Sequence, residues 1–318
     1  MSDFFADSLG FLDFPGKPPV ADPDLKLNLV HATSCAPTFV SMGEVIQEHR
    51  TFASRLESQN LKVIRRASDL SMNGKTQVIL GLQHLPDNAS IETLFHIGVR
   101  IVCLSYDSHG IFGSGFNEPE KPLTKAGRRI LDDCLRVGMI VDLSHLGHRS
   151  ARDTLDFLDG KSGKPRVMLS HSGCYSVFKH LRNAPDDIIF AVARMGGIIG
   201  IPSLTFILDE VDNGLEPFFD HIRHSLLIAG SRAVCIGSDG WYKNLDPSEW
   251  QTATAELKSR LCKNGDSWNH RWPEQPLQLN SADRMTVISE KIREFLPETS
   301  AQNILGLNLL NFMRQNLP

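Results

Sequence analysis

Met139-Ile-Val-Asp-Leu-Ser-His145 and Arg166-Val-Met-Leu-Ser-His171 are the stretches whose reading decides the architecture. Each is a short apolar run, rich in β-branched residues, that stops at a Ser-His pair. Neither alternates between apolar and polar, as a half-exposed strand would. Runs of this kind suit parallel strands covered on both faces. Working outward, the same pattern recurs at Leu27–Val30, Gln77–Leu82, Arg100–Leu104, Gly197–Ile201 and Ala233–Ile236. Helical patterns fill the gaps: Met42–Ser58, Ser90–Ile97, Thr124–Val137, Arg149–Leu158, Pro185–Met195 and Pro217–Ala229. Thr124 is placed to cap its helix, and Asp186-Asp187 opens another, where a negative charge is favourable. Unbroken strand-then-helix order predicts an α/β protein with parallel strands. Seven strands are visible, and an eighth is expected at Leu61–Ile64 or late in the chain. Eight close a (β/α)8 TIM barrel. A doubly wound open sheet is the alternative, but no G-x-G-x-x-G or P-loop follows the first strand.

The chain has 318 residues, 41% hydrophobic and 22% charged, which is ordinary for a soluble globular protein. A formal net charge of −4 leaves no basic field to hold nucleic acid. The six cysteines are scattered, with no C-x-x-C pair, and several lie in apolar runs, so a reducing cytoplasm is expected. Residues 1–25 contain Phe4, Phe5, Leu9, Phe11, Leu12 and Phe14, interrupted by Asp3, Asp7 and Asp13. With no basic segment before it, this is neither a signal peptide nor a membrane span. It reads as an extension packed outside the fold or on a second subunit. Residues 26–318 then form one barrel domain, with a lid-like insertion at about 241–276 that holds all four tryptophans.

Polar residues fall where the apolar runs end. His145, His171 and Asp239 end three of them, and His31, Gln83 and Tyr106 end three more. In a barrel those ends share one face, where active sites lie. A lone His after a strand is usually a hydrogen-bonded cap. Two Leu-Ser-His endings on successive strands point instead to ligands. Two imidazoles and a carboxylate suit a Zn²⁺ ion with a position open to water, and Asp239 is placed to relay a proton. Histidines such as His84, His148 and His221 lack that placement and are expected at the surface or in loops.

Between Thr76 and Asp239 a series of ordered pieces resembles the membrane (renal) dipeptidase family of amidohydrolase-like barrels. They are Gly98-Val-Arg-Ile-Val-Cys-Leu-Ser-Tyr106, Gly113-Ser-Gly115, Leu123-Thr124, Gly138 to His145 and Leu169-Ser-His-Ser172. Arg182-Asn183, Pro185-Asp-Asp187, Gly196-Gly-Ile-Ile-Gly200 and Gly237-Ser-Asp239 continue the series. The resemblance implies a barrel, often dimeric, that hydrolyses dipeptides at a two-zinc centre. It assigns one zinc to His145 and His171 and proton transfer to Asp239. Arg182 would grip the substrate carboxylate, with Asn183 beside it; the alternative for Arg182 is an ion pair with Asp186 or Asp187. Tyr106 stands where some members place a substrate-contacting His, and its hydroxyl suits an oxyanion.

The family's first strand ends in H-x-D, for which the nearest equivalent here is His31-Ala-Thr33, and its bridging Glu becomes Gln83. Two anionic ligands are thereby lost, so one ion at His145 and His171, helped by His31 or Gln83, is expected rather than two, with an empty site as the alternative. The substrate implied is a small dipeptide-like molecule with a free carboxylate, with no nucleic-acid or membrane partner, and a homodimer is expected. Two other readings of the same pocket stay open. One is a non-hydrolytic enzyme (isomerase, cyclase or decarboxylase) acting on an amino-acid-derived metabolite, and the other is an inactive paralogue.

Overall fold

Two residues close the ring. Ala6–Asp7 (β1) pairs in parallel with Leu29–Thr33 (β2) on one side and with Val234–Ile236 on the other. The intervening strands are β3 (Lys62–Ile64), β4 (Gln77–Leu82), β5 (Ile101–Cys103), β6 (Ile140–Asp142), β7 (Val167–Leu169) and β8 (Ile198–Ile201), and Val234–Ile236 is β9. Every pairing is parallel, and β2 to β4 completes a circuit of eight strands. The ninth, β3, lies beside β4 on the edge that β5 also uses. Lys62 N–H donates to the Thr76 carbonyl, and farther along that edge Arg100 N–H donates to the Leu80 carbonyl. The computed structural model describes residues 3–12, 25–37, 41–72, 74–108, 110–161, 166–242, 246–249, 251–252, 255 and 273–318. Most of the expected lid lies outside these residues.

The barrel expected from the sequence is therefore present, but the described residues 3–12 of the expected N-terminal extension are built into it rather than packed outside. Ala6–Asp7 is part of the wall, because the gap between β9 and β2 leaves two strand edges whose N–H and C=O groups need partners. Leu61–Ile64 does contain a strand, β3, but the strand that completes the circuit is β1.

The helices are α1 (Met42–Ser58), α2 (Ile91–Ile97), α3 (Lys125–Val137), α4 (His148–Asp159), α5 (Asp186–Arg194), α6 (Thr205–Leu208) and α7 (Glu216–Ala229). After these come α8 (Arg284–Phe295), α9 (Glu298–Gln302) and α10 (Asn308–Asn316). Their ends follow local chemistry. Ser41 and Glu44 form a capping box on α1, and Thr124 accepts from Gly127 N–H to start α3. Gly138, at φ 82°, ends α3 in the left-handed region that glycine tolerates. Among the described residues no helix is long and apolar enough to cross a membrane.

Side chains two apart on a strand share a face, so the barrel interior is layered. The lowest layer is apolar: Ala6, Leu29, Ile79, Ile101, Ile140, Met168, Ile198 and Cys235, joined by Ile64. Leu309, Leu310, Phe312 and Met313 of α10 pack against it and plug that end. Burying each such side chain stabilises the fold by about 1.5–3 kcal/mol. Two residues farther along the strands the interior becomes polar or small, with Ser8, His31, Cys103, Asp142 and Ser170. Gly237 belongs to this level because a Cβ there would strike the Ser170 carbonyl. This polar layer is the floor of the site.

Candidate active site

His145 and His171 follow β6 and β7 at the carboxyl-terminal mouth of the barrel and are almost fully buried. Their Nε2 atoms are 2.9 Å apart. His171 Nε2 is also 3.3 Å from Gln83 Nε2 and 4.0 Å from Asp239 Oδ2. Four of the residues expected at the site thus meet around one imidazole nitrogen. Burial and then the nearby Arg182 charge pull both histidines well below the ordinary imidazole range. Both rings are neutral near pH 7, the state in which a ring nitrogen can ligate.

Asp239 is held in a backbone conformation unusual for a residue other than glycine, at φ 54°. Its N–H donates to the Leu9 carbonyl, and its own carbonyl accepts from Gln275. Beneath it, Ser238 N–H and Oγ donate to Asp7, which also accepts from the Tyr242 hydroxyl at 2.6 Å. Arg284, fully buried, donates to Ser238 Oγ, Gln275 Oε1 and the Trp241 carbonyl. Burial pushes the Asp239 carboxyl up to about 7. Arg182 opposes this, while Glu274, Asp7 and Asp142 reinforce it. Sequence reasoning missed Asp7 and Arg284. Asp7 carried a faint signal, a single carboxylate following Phe4-Phe5-Ala6.

Arg182 is buried, and neither Asp186 nor Asp187 is its partner: Asp187 pairs with Arg152 and Asp186 with His224. Its guanidinium donates to the carbonyls of Ser144 and His171, so it ties together the ends of β6 and β7 while facing the histidines. Tyr106 stacks on the His145 ring, with centroids 4.0 Å apart and planes 20° from parallel.

Several residues have surroundings other than those expected. Asn183, expected to touch substrate, uses its amide hydrogens on the carbonyls of Phe178 and Ile207. It braces loops instead. His31, expected as a ligand, lies in the floor layer with Nδ1 donating to the Ser8 carbonyl at 2.7 Å and Nε2 packed against Gly81. Among the described residues, no group of three or more His, Cys, Asp or Glu side chains is placed to hold a metal ion. The H-x-D correspondence also fails, because His31-Ala-Thr33 is on the second strand of the ring. The first strand continues into Ser8-Leu9-Gly10-Phe11, which contains neither His nor carboxylate. Finally, His148 and His221 are buried, not superficial. His148 Nε2 bonds the Asn183 carbonyl and His221 Nε2 the Leu208 carbonyl.

A closed parallel barrel with paired imidazoles and a carboxylate at its mouth puts the chain in the (β/α)8-barrel class. Within that class the chain belongs to the membrane dipeptidase family, peptidase family M19, whose family model matches residues 44–266. Dipeptidase verJ of Clonostachys rogersoniana is 30% identical over 190 residues, which is 58% of this chain and 47% of that protein. The chain spans about half the length of the curated relatives it matches. Among solved structures, an amidohydrolase from Pseudomonas aeruginosa superposes with a TM-score of 0.80 at 20% identity, covering 99% of this chain and 97% of that one. A Rhodobacter sphaeroides metallopeptidase, liganded with a phosphinate mimic of L-Ala-D-Ala, superposes at 0.75 and 16% identity over 100% of both chains. At these identities the superpositions establish the fold.

Proposed function

We propose that this protein is a dipeptidase-like hydrolase that cleaves a small amide bearing a free carboxylate and uses one metal ion. The observation that carries this is the His145–His171 pair. Nitrogens about 2.0–2.1 Å from a common Zn²⁺ lie within about 3–3.5 Å of each other, and 2.9 Å is close to that spacing. Both rings are neutral, and Gln83 turned about its last torsion offers an amide oxygen beside them. The residues therefore fit one ion held by His145 and His171 with Gln83. They do not fit a second, since the end of β1 is apolar and, among the described residues, Asp239 is the carboxylate that comes within 4.0 Å of the pair. When bound, such an ion supplies Lewis acidity and an acidified water.

The chain's own groups supply the rest. Asp239, 4.0 Å from His171 and pushed up to about 7, is poised to take a proton and return it to the leaving amine. Arg182 has five N–H donors, of which two are engaged by the strand-end carbonyls, so the remainder can receive a substrate carboxylate. Tyr106 fixes the plane of His145 by stacking. The relatives named as dipeptidases, and the dipeptide mimic bound by the R. sphaeroides structure, support the substrate class.

The test is elemental analysis of native protein together with a dipeptide panel assayed before and after chelation. One Zn²⁺ per chain, with hydrolysis lost on chelation and restored by Zn²⁺, is expected. Full turnover in metal-free protein, or no turnover of any dipeptide by the zinc-loaded protein, would refute the proposal.

A further inference from the structure

The floor of the site holds a buried carboxylate, Asp142, whose part so far is only its charge acting on Asp239. Its Oδ1 accepts from Ser144 N–H at 3.1 Å, Ser144 Oγ at 2.6 Å and Ser170 N–H at 3.0 Å. Its Oδ2 accepts from Ser170 Oγ at 2.5 Å. A hydroxyl has one proton to give. Ser170 gives its proton to the carboxylate, so the oxygen presents a lone pair to His171 Nδ1, 2.6 Å away. Nδ1 must then carry a hydrogen, which leaves Nε2 with a lone pair. Ser144 behaves in parallel: its proton goes to Asp142, and its oxygen accepts the His171 backbone N–H at 3.0 Å. The imidazole is thus held at both its ring and its backbone by hydroxyls that one carboxylate orients.

We propose that Asp142, acting through Ser170, is a positioning residue that fixes His171 in the Nδ1–H tautomer and aims its Nε2 lone pair into the site. The assignment rests on His171 being an ion ligand, as argued above. It differs from direct carboxylate–imidazole pairing in that a serine stands between the two. Asp142→Asn is the informative change. The Oδ1 position must remain an oxygen, because three donors converge on it. The new amide nitrogen therefore replaces Oδ2 and donates to Ser170 Oγ. The Ser170 proton then turns to His171 Nδ1, and the ring hydrogen moves to Nε2, which removes the lone pair from the site.

Long-range ¹H–¹⁵N spectra of histidine-labelled, metal-free protein read this directly, with His171 assigned through His171→Gln. The expected result is the Nδ1–H tautomer in the native chain and the Nε2–H tautomer in Asp142→Asn. Zn²⁺ affinity, titrated against a chromophoric chelator, should fall about 10–100-fold in that variant. An Nε2–H tautomer in the native chain overturns the proposal, as does a folded Asp142→Asn with unchanged tautomer or unchanged affinity. Should Asp142→Asn not fold, Ser170→Ala carries the same test: loss of the tautomer preference supports the relay, and its retention overturns it. The expected tautomers in a protein that cleaves no dipeptide would refute the proposed hydrolysis and leave the relay standing.

Discussion

Arg182→Met separates what this residue does for the barrel from what it does for a ligand. In the native chain its guanidinium bonds the carbonyls of Ser144 and His171 from a buried position. Hydrogen bonds from a charged donor are each worth about 1.5–3 kcal/mol, so the pair contributes about 3–6 kcal/mol. Removing a desolvated cation offsets part of that loss, which leaves a net destabilisation of about 2–4 kcal/mol. At about 2–4 °C per kcal/mol for a domain approaching this size, the melting temperature should fall by about 5–15 °C. Arg182→Lys keeps the charge, but a compact ammonium cannot span both carbonyls, so its melting point should lie between the two. Calorimetric melts of the three proteins at pH 7.5 measure this, and KM for a dipeptide and for its C-terminal amide measures the other role. The expected KM pattern is a rise of about 10–100-fold for the dipeptide in Arg182→Met, with little change for the amide. A melting point within a degree or two of native would refute the clamp. An equal effect on both substrates would refute carboxylate recognition.

Other consequences can be measured on the same preparations. Asp239→Asn should retain the bound ion while kcat falls about 10²–10⁴-fold; full zinc content with native kcat would contradict the proton-transfer role. His49 and His221 are buried and neutral, held by burial at about 4, against an ordinary value near 6.5. The unfolded chain therefore binds more protons as pH falls below 6.5, and each histidine costs about 2 kcal/mol of stability at pH 5 relative to neutrality. Urea midpoints at pH 7.5 and 5 should show this loss, and His221→Gln should shrink it; a pH-independent midpoint would contradict the burial argument. Gly237→Ala should destabilise by several kcal/mol, since the added methyl strikes the Ser170 carbonyl beneath the site, and a native urea midpoint would contradict the close approach.

Much of this structure was legible because it is written locally. The helices carry their own punctuation: Ser41 with Glu44, Thr124, and Gly138. The buried strands announce themselves as unbroken apolar runs. His145 and His171 stood out because a polar side chain ending such a run needs a reason to be there. What was not legible depends on distant partners. β1 is two residues long, shorter than any hydrophobic period, and exists only because Ile236 and Leu29 present open edges to it. Asp7 looks like an interruption in an apolar stretch, yet apart from the local Leu9 N–H its donors come from Ser238 and Tyr242, more than two hundred residues away. Mistaking the second strand of the ring for the first displaced the H-x-D comparison onto His31. His221 reads as a surface or loop residue because no spacing in the sequence reveals that the Leu208 carbonyl waits for it.

The two histidines at the mouth are not equivalent, although the sequence presents them as twins. Each ends a Leu-Ser-His run, and each neutral ring has one hydrogen to place. His171 has its hydrogen committed to Ser170, so its Nε2 is an acceptor. The 2.9 Å contact with His145 Nε2 then requires His145 to be the donor, which leaves His145 Nδ1 as a lone pair, buried and with no hydrogen-bond partner among the described residues. An unsatisfied buried acceptor costs about 1–3 kcal/mol. For both Nε2 atoms to ligate one ion, His145 must move its hydrogen to Nδ1, whereas His171 changes nothing. At the proposed site, holding an ion would therefore require a tautomer change at one ring only. Tyr106, stacked flat on that ring, preserves its plane while the hydrogen moves. The order of sensitivity follows: disturbing the support of His171 removes a preset ligand, whereas disturbing His145 alters only how readily the second one is recruited.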